Sequence, residues 1–286
     1  MTAQAAPAAS VAPSAAPRFN ARTLDRALLY ACAIALALWV LVPFYLIFLS
    51  AFSRPNDVFT YPKPLLPTAL STETMLTFLN STGVTASVIN SVVVATITIV
   101  LSLLLGAPAG YALARFTFRG RQGFQLIVLA TKMFPVAILS IPLAVAFVRL
   151  GLYDNVLGVA LVHTAMALPF VILVTAGVFA GVSNELEEAA MTLGCSRVTA
   201  FLRVALPLAL PGLAAAAIFT FVISWNEVFA ASILTLRQRT LPALVLFALQ
   251  QSPLYFKFAG GFFMVMPAIV FIFFMRRYLL NLWGGR

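Results

Sequence analysis

Long apolar runs, separated by short polar segments, dominate the pattern of hydrophobic and polar residues along this chain. A helix needs about 20 apolar residues to cross roughly 30 Å of hydrocarbon. Six runs reach that length, so the pattern predicts an all-α integral membrane protein with six transmembrane helices. The predicted spans cover approximately residues 27–52, 86–114, 122–148, 156–181, 206–236 and 258–282.

The polar segments between these runs differ in character. Residues 1–20 are mostly Ala, Pro and small polar residues, which bury too little surface to offset the entropy of ordering, so we expect a disordered cytoplasmic tail. Residues 21–286 then form the transmembrane domain. Prolines interrupt residues 53–85, which predicts an extramembrane loop with a short helix near residues 72–80. The basic segment 237–257 is either a solvated linker or a surface that receives an external protein.

Composition agrees with insertion into a membrane. The chain is 62% hydrophobic and 9% charged, and its mean hydropathy is +1.03, which is outside the range of a soluble domain. The net charge of +10 does not indicate nucleic-acid binding, because the basic residues form short clusters between apolar runs. More of them flank the ends of the spans on the side of the N-terminus. The positive-inside rule therefore predicts that both termini are cytoplasmic.

The residues that commonly carry catalysis are few and scattered. Cys32, Cys195 and His163 lack the spacing of metal ligands, and two cysteines make a disulfide framework improbable. His163 is more typical of a packing histidine than of a proton relay. No nucleophile and base are paired as in an intramembrane enzyme, so no catalytic residue is predicted. No lysine follows a glycine-rich phosphate-binding sequence, so this chain should not hold ATP itself.

Two charged residues, Lys132 and Glu227, fall inside predicted spans. A charge at mid-bilayer costs about 2.5–3.5 kcal/mol on insertion scales, so both must face protein or water. Either they bond to each other or to backbone carbonyls, or they line a polar route for a hydrophilic substrate. Trp225 and Asn226 favour the second interpretation, because an indole face, an amide and a carboxylate complement a polyhydroxylated ligand. Pro135 frees backbone groups that neighbours or water must satisfy.

The longest polar interruption in the second half of the chain predicts a capped amphipathic helix. Asn184 is placed to cap it, Glu187 to return the bond to the cap, and Gly194 to end it. Ser196 is placed to cap a second short helix that carries Arg197. The first helix either lies on the membrane surface or docks in a groove of another protein. Its narrow apolar face contains Leu186, Ala189, Ala190 and Leu193, and the residues at the centre of this face are small.

The spacing of this stretch favours docking. The cytoplasmic signature of permease subunits from binding-protein-dependent ABC importers is E-A-A, three residues, G, nine residues, then I-x-L-P. Here Glu188-Ala189-Ala190 precedes Gly194 by three residues, and Val204-Ala205-Leu206-Pro207 follows after nine more. Only Val204 departs from the pattern, conservatively. The chain closely resembles this family, although Leu193 stands where many members carry an acidic residue.

Further motifs resemble the carbohydrate class of these permeases, and within it the maltose-type subunit MalG. The resemblance covers about residues 25–283. The motifs that carry it are Asn90-Ser91, the run from Tyr111 to Phe116, Met133-Phe134-Pro135, the run from Gly151 to Asp154, and Ser224-Trp225-Asn226-Glu227.

The resemblance implies a type I importer domain with a short cytoplasmic coupling helix between spans 4 and 5, in a bacterial-type inner membrane. The implied partners are a second permease subunit, two cytoplasmic ATPase subunits that bind ATP and Mg, and an extracytoplasmic solute-binding protein. The implied cargo is a sugar or related polyol. The residues assigned to coupling are Leu186, Glu188, Ala189, Ala190, Gly194, Arg197, Leu206 and Pro207. The candidate transport-pathway residues are Asn90, Lys132, Met133, Pro135, Trp225, Asn226 and Glu227.

Two other functions stay open at this point. A proton-coupled secondary transporter of a polar solute would use Glu227, Lys132 and His163, which lie in or near predicted spans. A structural membrane anchor would need none of these residues. Dependence of uptake on ATP separates the importer from the first alternative, and loss of uptake on deletion separates it from the second.

Overall fold

The computed structural model describes residues 21–62, 66, 70–248 and 252–283, and every regular element in these ranges is helical. The disordered tail predicted for residues 1–20 lies outside them. The α-helices are α1 (Ala21–Ala51), α2 (Glu73–Leu79), α3 (Val84–Arg115), α4 (Arg121–Ala130), α5 (Val136–Arg149), α6 (Val156–Ala180), α7 (Asn184–Thr192), α8 (Arg197–Ala200), α9 (Leu206–Asn226), α10 (Phe229–Leu234), α11 (Leu241–Ala248) and α12 (Leu254–Trp283).

The third predicted span, residues 122–148, is not one helix. It consists of α4, the short 3-10 turn Thr131–Met133 and α5, and the axes on either side of the break differ by 88°. Phe134 and Pro135 have extended backbone at the break, with ψ of 116° and 126°. Proline lacks the N–H that a helix needs and disfavours helical backbone in the residue before it, so the helix ends there.

The number of crossings depends on this break. Among the described residues, five helical segments are long and apolar enough to cross a membrane, and there are up to six if the bent pair is one span. Three of the five are α1, α3 and α6. The fourth runs continuously from Arg197 to Asn226 and includes α9, and the fifth is the described apolar part of α12. An all-helical membrane protein is therefore confirmed, while six separate straight spans are not observed.

The fifth predicted span, residues 206–236, also ends early. α9 stops at Asn226, and Glu227 has extended backbone with φ of −73° and ψ of 125°. The Asn226 side chain turns back to donate to the carbonyl oxygen of Val222 at 2.9 Å. The apolar residues of α10 continue the pattern after the break, so hydrophobicity alone does not reveal it. Glu227 consequently lies beyond a helix end and not well inside a span.

The contacts divide the chain into two compact units, Met1–Leu46 and Ile47–Arg286. In the first unit, the side chains of α1 from residue 25 to residue 46 are exposed, and Trp39 has 81% of its surface accessible. Such an apolar, exposed helix suits contact with lipid. The second unit contains all other helices.

The core of the second unit is built on the close packing of α3 against α6. A Cβ atom added at Gly110 would lie 2.0 Å from the Thr175 hydroxyl oxygen, and one at Gly106 would lie 2.6 Å from a Val171 methyl group. The Thr175 hydroxyl lies 3.1 Å from the carbonyl oxygen of Gly106 and 2.7 Å from that of Val171. Small residues at the contact let two membrane helices approach, and α3 and α6 together form the frame of the bundle.

The two polar segments at residues 53–85 and 237–257 each contain a short helix with buried side chains. The short helix predicted near residues 72–80 is confirmed as α2, whose Phe78 is buried against α12, with 5.0 Å between the centroids of its ring and the Phe256 ring. The basic segment 237–257 contains α11, in which Leu241 and Ala243 are buried. Since α11 packs against α3, α10 and α12, the solvated linker is the wrong interpretation of this segment.

Candidate functional site

The polar stretch after α6 folds into the predicted short helix, displaced by one residue at its start. Ser183, and not Asn184, is the N-cap, because its hydroxyl accepts from the backbone N–H of Glu185 at 3.3 Å. The helix ends as predicted at Gly194, whose φ of +92° is a left-handed value that glycine adopts without strain. Ser196 caps α8 as predicted, accepting from Thr199 N–H at 3.2 Å.

The displacement of the cap changes the role of Glu187. With Ser183 as the cap, Glu187 is one position too far along to form the predicted capping box. Its side chain turns into the protein instead, and the residue is only 5% exposed. One carboxylate oxygen accepts from the Tyr111 hydroxyl at 2.5 Å, and the other accepts from Nε and Nη2 of Arg115 at 2.8 and 2.6 Å. The capping-box prediction for Glu187 is therefore wrong.

The motif itself, which begins at Glu188, and the neighbouring Leu186 face outward from α7. Leu186, Glu188 and Ala189 are exposed, Ala190 is half-buried, and Leu193 is 87% exposed. An exposed apolar face beside an exposed carboxylate is a surface that another protein can cover. The predicted docking face is thus accessible on this chain, with Glu187 holding the opposite side.

The remaining coupling candidates lie between α7 and α9. Arg197 is exposed, and its guanidinium carbon lies 5.6 Å from the centroid of the Phe116 ring. A π-helical turn, Phe201–Ala205, connects α8 to α9, so α8 and α9 form one continuous helical run. Leu206 packs in a cluster with Phe179 and other residues of α3 and α6. Pro207 lies in the first turn of α9, directly after the π-helical turn.

Trp225 and Asn226, predicted to form one ligand-binding face with Glu227, bond to separate parts of the protein. Trp225 is 1% exposed, and its indole N–H donates to the carbonyl oxygen of Met264 at 2.9 Å. Asn226 is exposed and bonds within its own helix. Asn90, another pathway candidate, donates to the carbonyl oxygen of Arg239 at 3.1 Å. Trp225 and Asn90 therefore tie elements of this chain together.

Glu227 joins a buried polar cluster that the sequence pattern did not reveal. Its carboxylate lies 3.1 Å from Nε2 of His163 and accepts from the N–H groups of Ala230 and Ala231 at 2.9 and 3.1 Å. The other ring nitrogen of His163 lies 2.9 Å from the Ser224 hydroxyl, and His163 is fully buried. Glu227 thus caps α10 and fastens it to α6 and α9.

Lys132 lies apart from this cluster and donates to the carbonyl oxygen of Met166. Lys132 and Glu227 therefore do not neutralise each other, and Lys132 satisfies the backbone-carbonyl interpretation. At the break before α5, Lys132 and Pro135 line an open, mainly apolar cleft of about 590 Å³ with Met166 and Pro169 of α6. Met133 is 81% exposed. Of the pathway candidates, Lys132 and Pro135 are the ones that share a cavity.

Asp154 fixes the backbone of the basic segment. Its φ is +53°, and its carboxylate oxygen accepts from the N–H groups of Leu236, Arg237 and Gln238 at 2.8, 2.9 and 3.0 Å. Loss of hydration raises the pKa of this carboxyl, but the three N–H donors and the Arg237 charge lower it more, so the pKa lies below its ordinary value. Asp154 is the last residue of the motif from Gly151 to Asp154, and the sequence pattern predicted no role for it.

We expect Asp154→Ala to release the backbone of residues 236–238. Because the folded pKa is lowered, the stabilisation is present above the unfolded pKa of about 3.9 and is lost as pH falls through the folded pKa. Hydrogen exchange at these amides should be protected about tenfold less in Asp154→Ala at neutral pH, which is the scale of one charged hydrogen bond. Asp154→Asn, which keeps an acceptor oxygen, is the control and should lose less. Equal protection in all three proteins would contradict this role.

No group of three or more His, Cys, Asp or Glu side chains that could hold a metal occurs within the described part of the chain. A small polar cavity of about 140 Å³ lies beside α7, lined by Tyr111, Arg115, Glu187, Glu188 and Arg197 among others. It places the internal ion pair next to the exposed motif.

Residues 102–281 match the family described as "Binding-protein-dependent transport system inner membrane component". The match covers more than half of the chain and includes α6, the whole motif of α7, and α9. This chain belongs to that family. It is a multi-pass inner-membrane permease subunit of a binding-protein-dependent ABC transporter, and hence a transport component and not an enzyme.

Two relatives and one solved structure support the resemblance in more detail. The diacetylchitobiose uptake system permease protein DasC of Streptomyces coelicolor is 33% identical over 195 residues, 68% of this chain and 71% of DasC. The trehalose transport system permease protein SugB of Mycobacterium tuberculosis is 34% identical over 207 residues, 70% of this chain and 76% of SugB. Their similarity confirms the resemblance to carbohydrate-class permeases.

A chain from the crystal structure of a bacterial ABC transporter involved in the import of the acidic polysaccharide alginate has the same fold. The TM-score is 0.72 at 23% identity, and the match covers 92% of this chain and 99% of that chain. The likeness confirms the arrangement of helices described above.

Proposed function

We propose that this permease imports a sugar or related polyol and is driven by ATPase subunits that contact α7. The proposal rests on how α7 is held. Glu188 and Ala189 are exposed, while Glu187, on another side of α7, anchors the helix to Arg115 of α3. An exposed face on a firmly held helix suits transmission of force, because a loosely held helix would move without moving the bundle.

The proposed complex contains this chain, a second permease subunit, two cytoplasmic ATPase subunits and an external solute-binding protein. The family description supports the binding protein. The ATPase subunits bind ATP and Mg, and this chain binds neither. The proposed orientation puts both chain termini and α7 on the cytoplasmic side, as the positive-inside rule predicts. The uptake systems named for diacetylchitobiose and trehalose support a carbohydrate cargo.

The proposed movement begins when the ATPase dimer closes and displaces α7. Gly194 allows the tight turn after α7, and the continuous run from Arg197 to Asn226 carries the displacement into the membrane. Leu206 and Pro207 lie where this run enters the bundle. Rocking of α9 against the frame of α3 and α6 then gives alternating access.

Energy dependence of uptake tests this function. Cells that express the complete system should take up the solute after a protonophore dissipates the proton gradient, provided that ATP is maintained. Uptake should fall to background when ATP is depleted and the proton gradient is kept. Uptake that follows the proton gradient and survives ATP depletion would instead support the secondary transporter, and unchanged uptake on deletion of this chain would support the anchor.

A further inference from the structure

Arg115 and Glu187 form an ion pair that the proposed movement through α9 does not use. Their side chains are 10% and 6% exposed, and the shortest distance between guanidinium nitrogen and carboxylate oxygen is 2.6 Å. The pair joins the last turn of α3 to the first turn of α7, although the two residues are 72 positions apart in sequence. Glu187 precedes the motif, so neither the motif nor periodicity assigned it to coupling.

The ion pair is the centre of a larger connection. Arg115 also donates to the carbonyl oxygen of Val182 at 2.9 Å, just after α6. The Tyr111 hydroxyl donates to the second Glu187 oxygen at 2.5 Å. The Tyr111 ring lies 5.4 Å from the Phe179 ring and 4.5 Å from the Phe201 ring, measured between centroids. One side chain of α7 is therefore held by α3, and the same group touches α6 and the π-helical turn before α9.

The chain itself connects α7 to α6 and to α8 through short turns, whereas α3 has no such connection to α7. A displacement of α7 reaches α6 and α9 along the backbone. It reaches α3 through the bonds from Tyr111 and Arg115 to Glu187. Two N–H groups of the Arg115 guanidinium donate to one carboxylate oxygen of Glu187. Such a pair fixes the relative orientation of the two side chains as well as their distance, which an apolar contact does not.

Stability alone is a poor reason for a buried ion pair, since apolar residues of similar volume often hold a core equally well. The location of this pair is more informative. It borders the same 140 Å³ cavity as exposed Glu188 and Arg197, so it lies directly behind the proposed docking face. The exposed carboxylate of Glu73, on α2, belongs neither to this ion pair nor to α7, and it provides a control of equal charge.

We propose that Glu187, Arg115 and Tyr111 are positioning residues that transmit the displacement of α7 to α3. This inference rests on the function proposed above and adds a second mechanical output to it. α3 and α6 then move with α7 during each cycle, and ATP closure is converted into movement of the frame as well as of α9.

The test measures uptake per ATP hydrolysed in proteoliposomes that contain the complete importer and its loaded binding protein. Glu187→Gln and Arg115→Gln should lower this ratio by about tenfold or more, the factor expected for loss of a charged hydrogen bond. Tyr111→Phe keeps the ring and should lower it less. Glu73→Gln is the matched control and should keep the wild-type ratio. The swapped double variant Arg115→Glu with Glu187→Arg should recover part of what each swapped single variant loses.

The ratio separates transmission from a purely structural role. If the pair only stabilised the fold, the variants would lower the yield of complex and both activities together, with an unchanged ratio, and the inference would be overturned. It would also be overturned if Glu187→Gln matched Glu73→Gln while the wild type needed ATP, and the proposed function would then stand. Wild-type uptake that is independent of ATP would overturn both. Should the single variants fail to assemble, the Tyr111→Phe ratio and the swapped pair decide the question.

Discussion

Replacing Gly194 by Val should uncouple ATP hydrolysis from uptake. Gly194 has φ of +92°, and a Cβ atom added there would meet no atom within 4 Å apart from its chain neighbours, so the main cost of a side chain is conformational. Left-handed backbone costs an L-residue about 1–2 kcal/mol, which shifts the turn by a factor of about 5–30 toward other conformations. The turn joins α7 to α8, so its distortion displaces the docking face. ATP hydrolysis should continue while uptake falls severalfold.

Gly194→Asn is the matched control for this prediction. Asparagine tolerates left-handed backbone better than other L-residues with a side chain, so this variant should keep most of the uptake. Both activities are measured on the same reconstituted complexes, with the amount of assembled complex determined in parallel. Normal uptake and normal stimulation of the ATPase in Gly194→Val would remove Gly194 from the coupling mechanism.

Replacing Glu227 by Ala should destabilise the protein. The change leaves the N–H groups of Ala230 and Ala231 without their acceptor and removes the partner of buried His163. A buried group left unsatisfied costs about 1–3 kcal/mol, and loss of a helix cap costs about 0.5–2 kcal/mol. We therefore expect a lower melting temperature and less assembled complex. Thermal unfolding in detergent measures the first effect.

Glu227→Gln separates this structural role from a role in the pathway. The amide keeps an acceptor oxygen for α10, so this variant should melt closer to the wild type than Glu227→Ala does. Glu73→Ala, at an exposed position on α2, should leave the melting temperature unchanged. If Glu227→Gln has the wild-type melting temperature but takes up much less solute per complex, Glu227 lines the route and the sequence-based assignment is restored.

Elements with long apolar patterns were predictable, while their breaks were not. The positions of α1, α3 and α6 follow from the lengths of the apolar runs, because length and hydropathy are the properties that a bilayer selects. Apolar sequence stands on both sides of the breaks at Pro135 and after Asn226. A hydropathy profile therefore shows one long apolar run where the structure has two helices. Proline inside a span does not decide the matter, since α6 continues through Pro169.

The motif was predictable because it depends on local spacing, and its anchoring was not. Gly194 and Ser196 have the roles that their positions predict. When the N-cap shifts by one residue, Glu187 no longer stands where it can bond back to the cap, and its side chain bonds to Arg115 instead. No local rule chooses between Ser183 and Asn184, because both are good caps. The partner of Glu187 lies 72 residues away in α3, and the partners of Glu227 include His163, 64 residues away. Such pairs become visible only when the helices are packed.

Photo-crosslinking shows directly whether the exposed face of α7 contacts an ATPase subunit. A photoreactive amino acid replaces Leu186, which is exposed on α7, or Leu76, which is exposed on α2 outside the predicted spans. The complete complex is irradiated with and without ATP, and the cross-linked chains are identified by mass. We predict that position 186 cross-links to the ATPase subunit, that ATP changes the yield, and that position 76 gives no such product. Absence of an ATPase product from position 186, or an equal yield from position 76, would show that the exposed face of α7 is not the contact with the ATPase subunit.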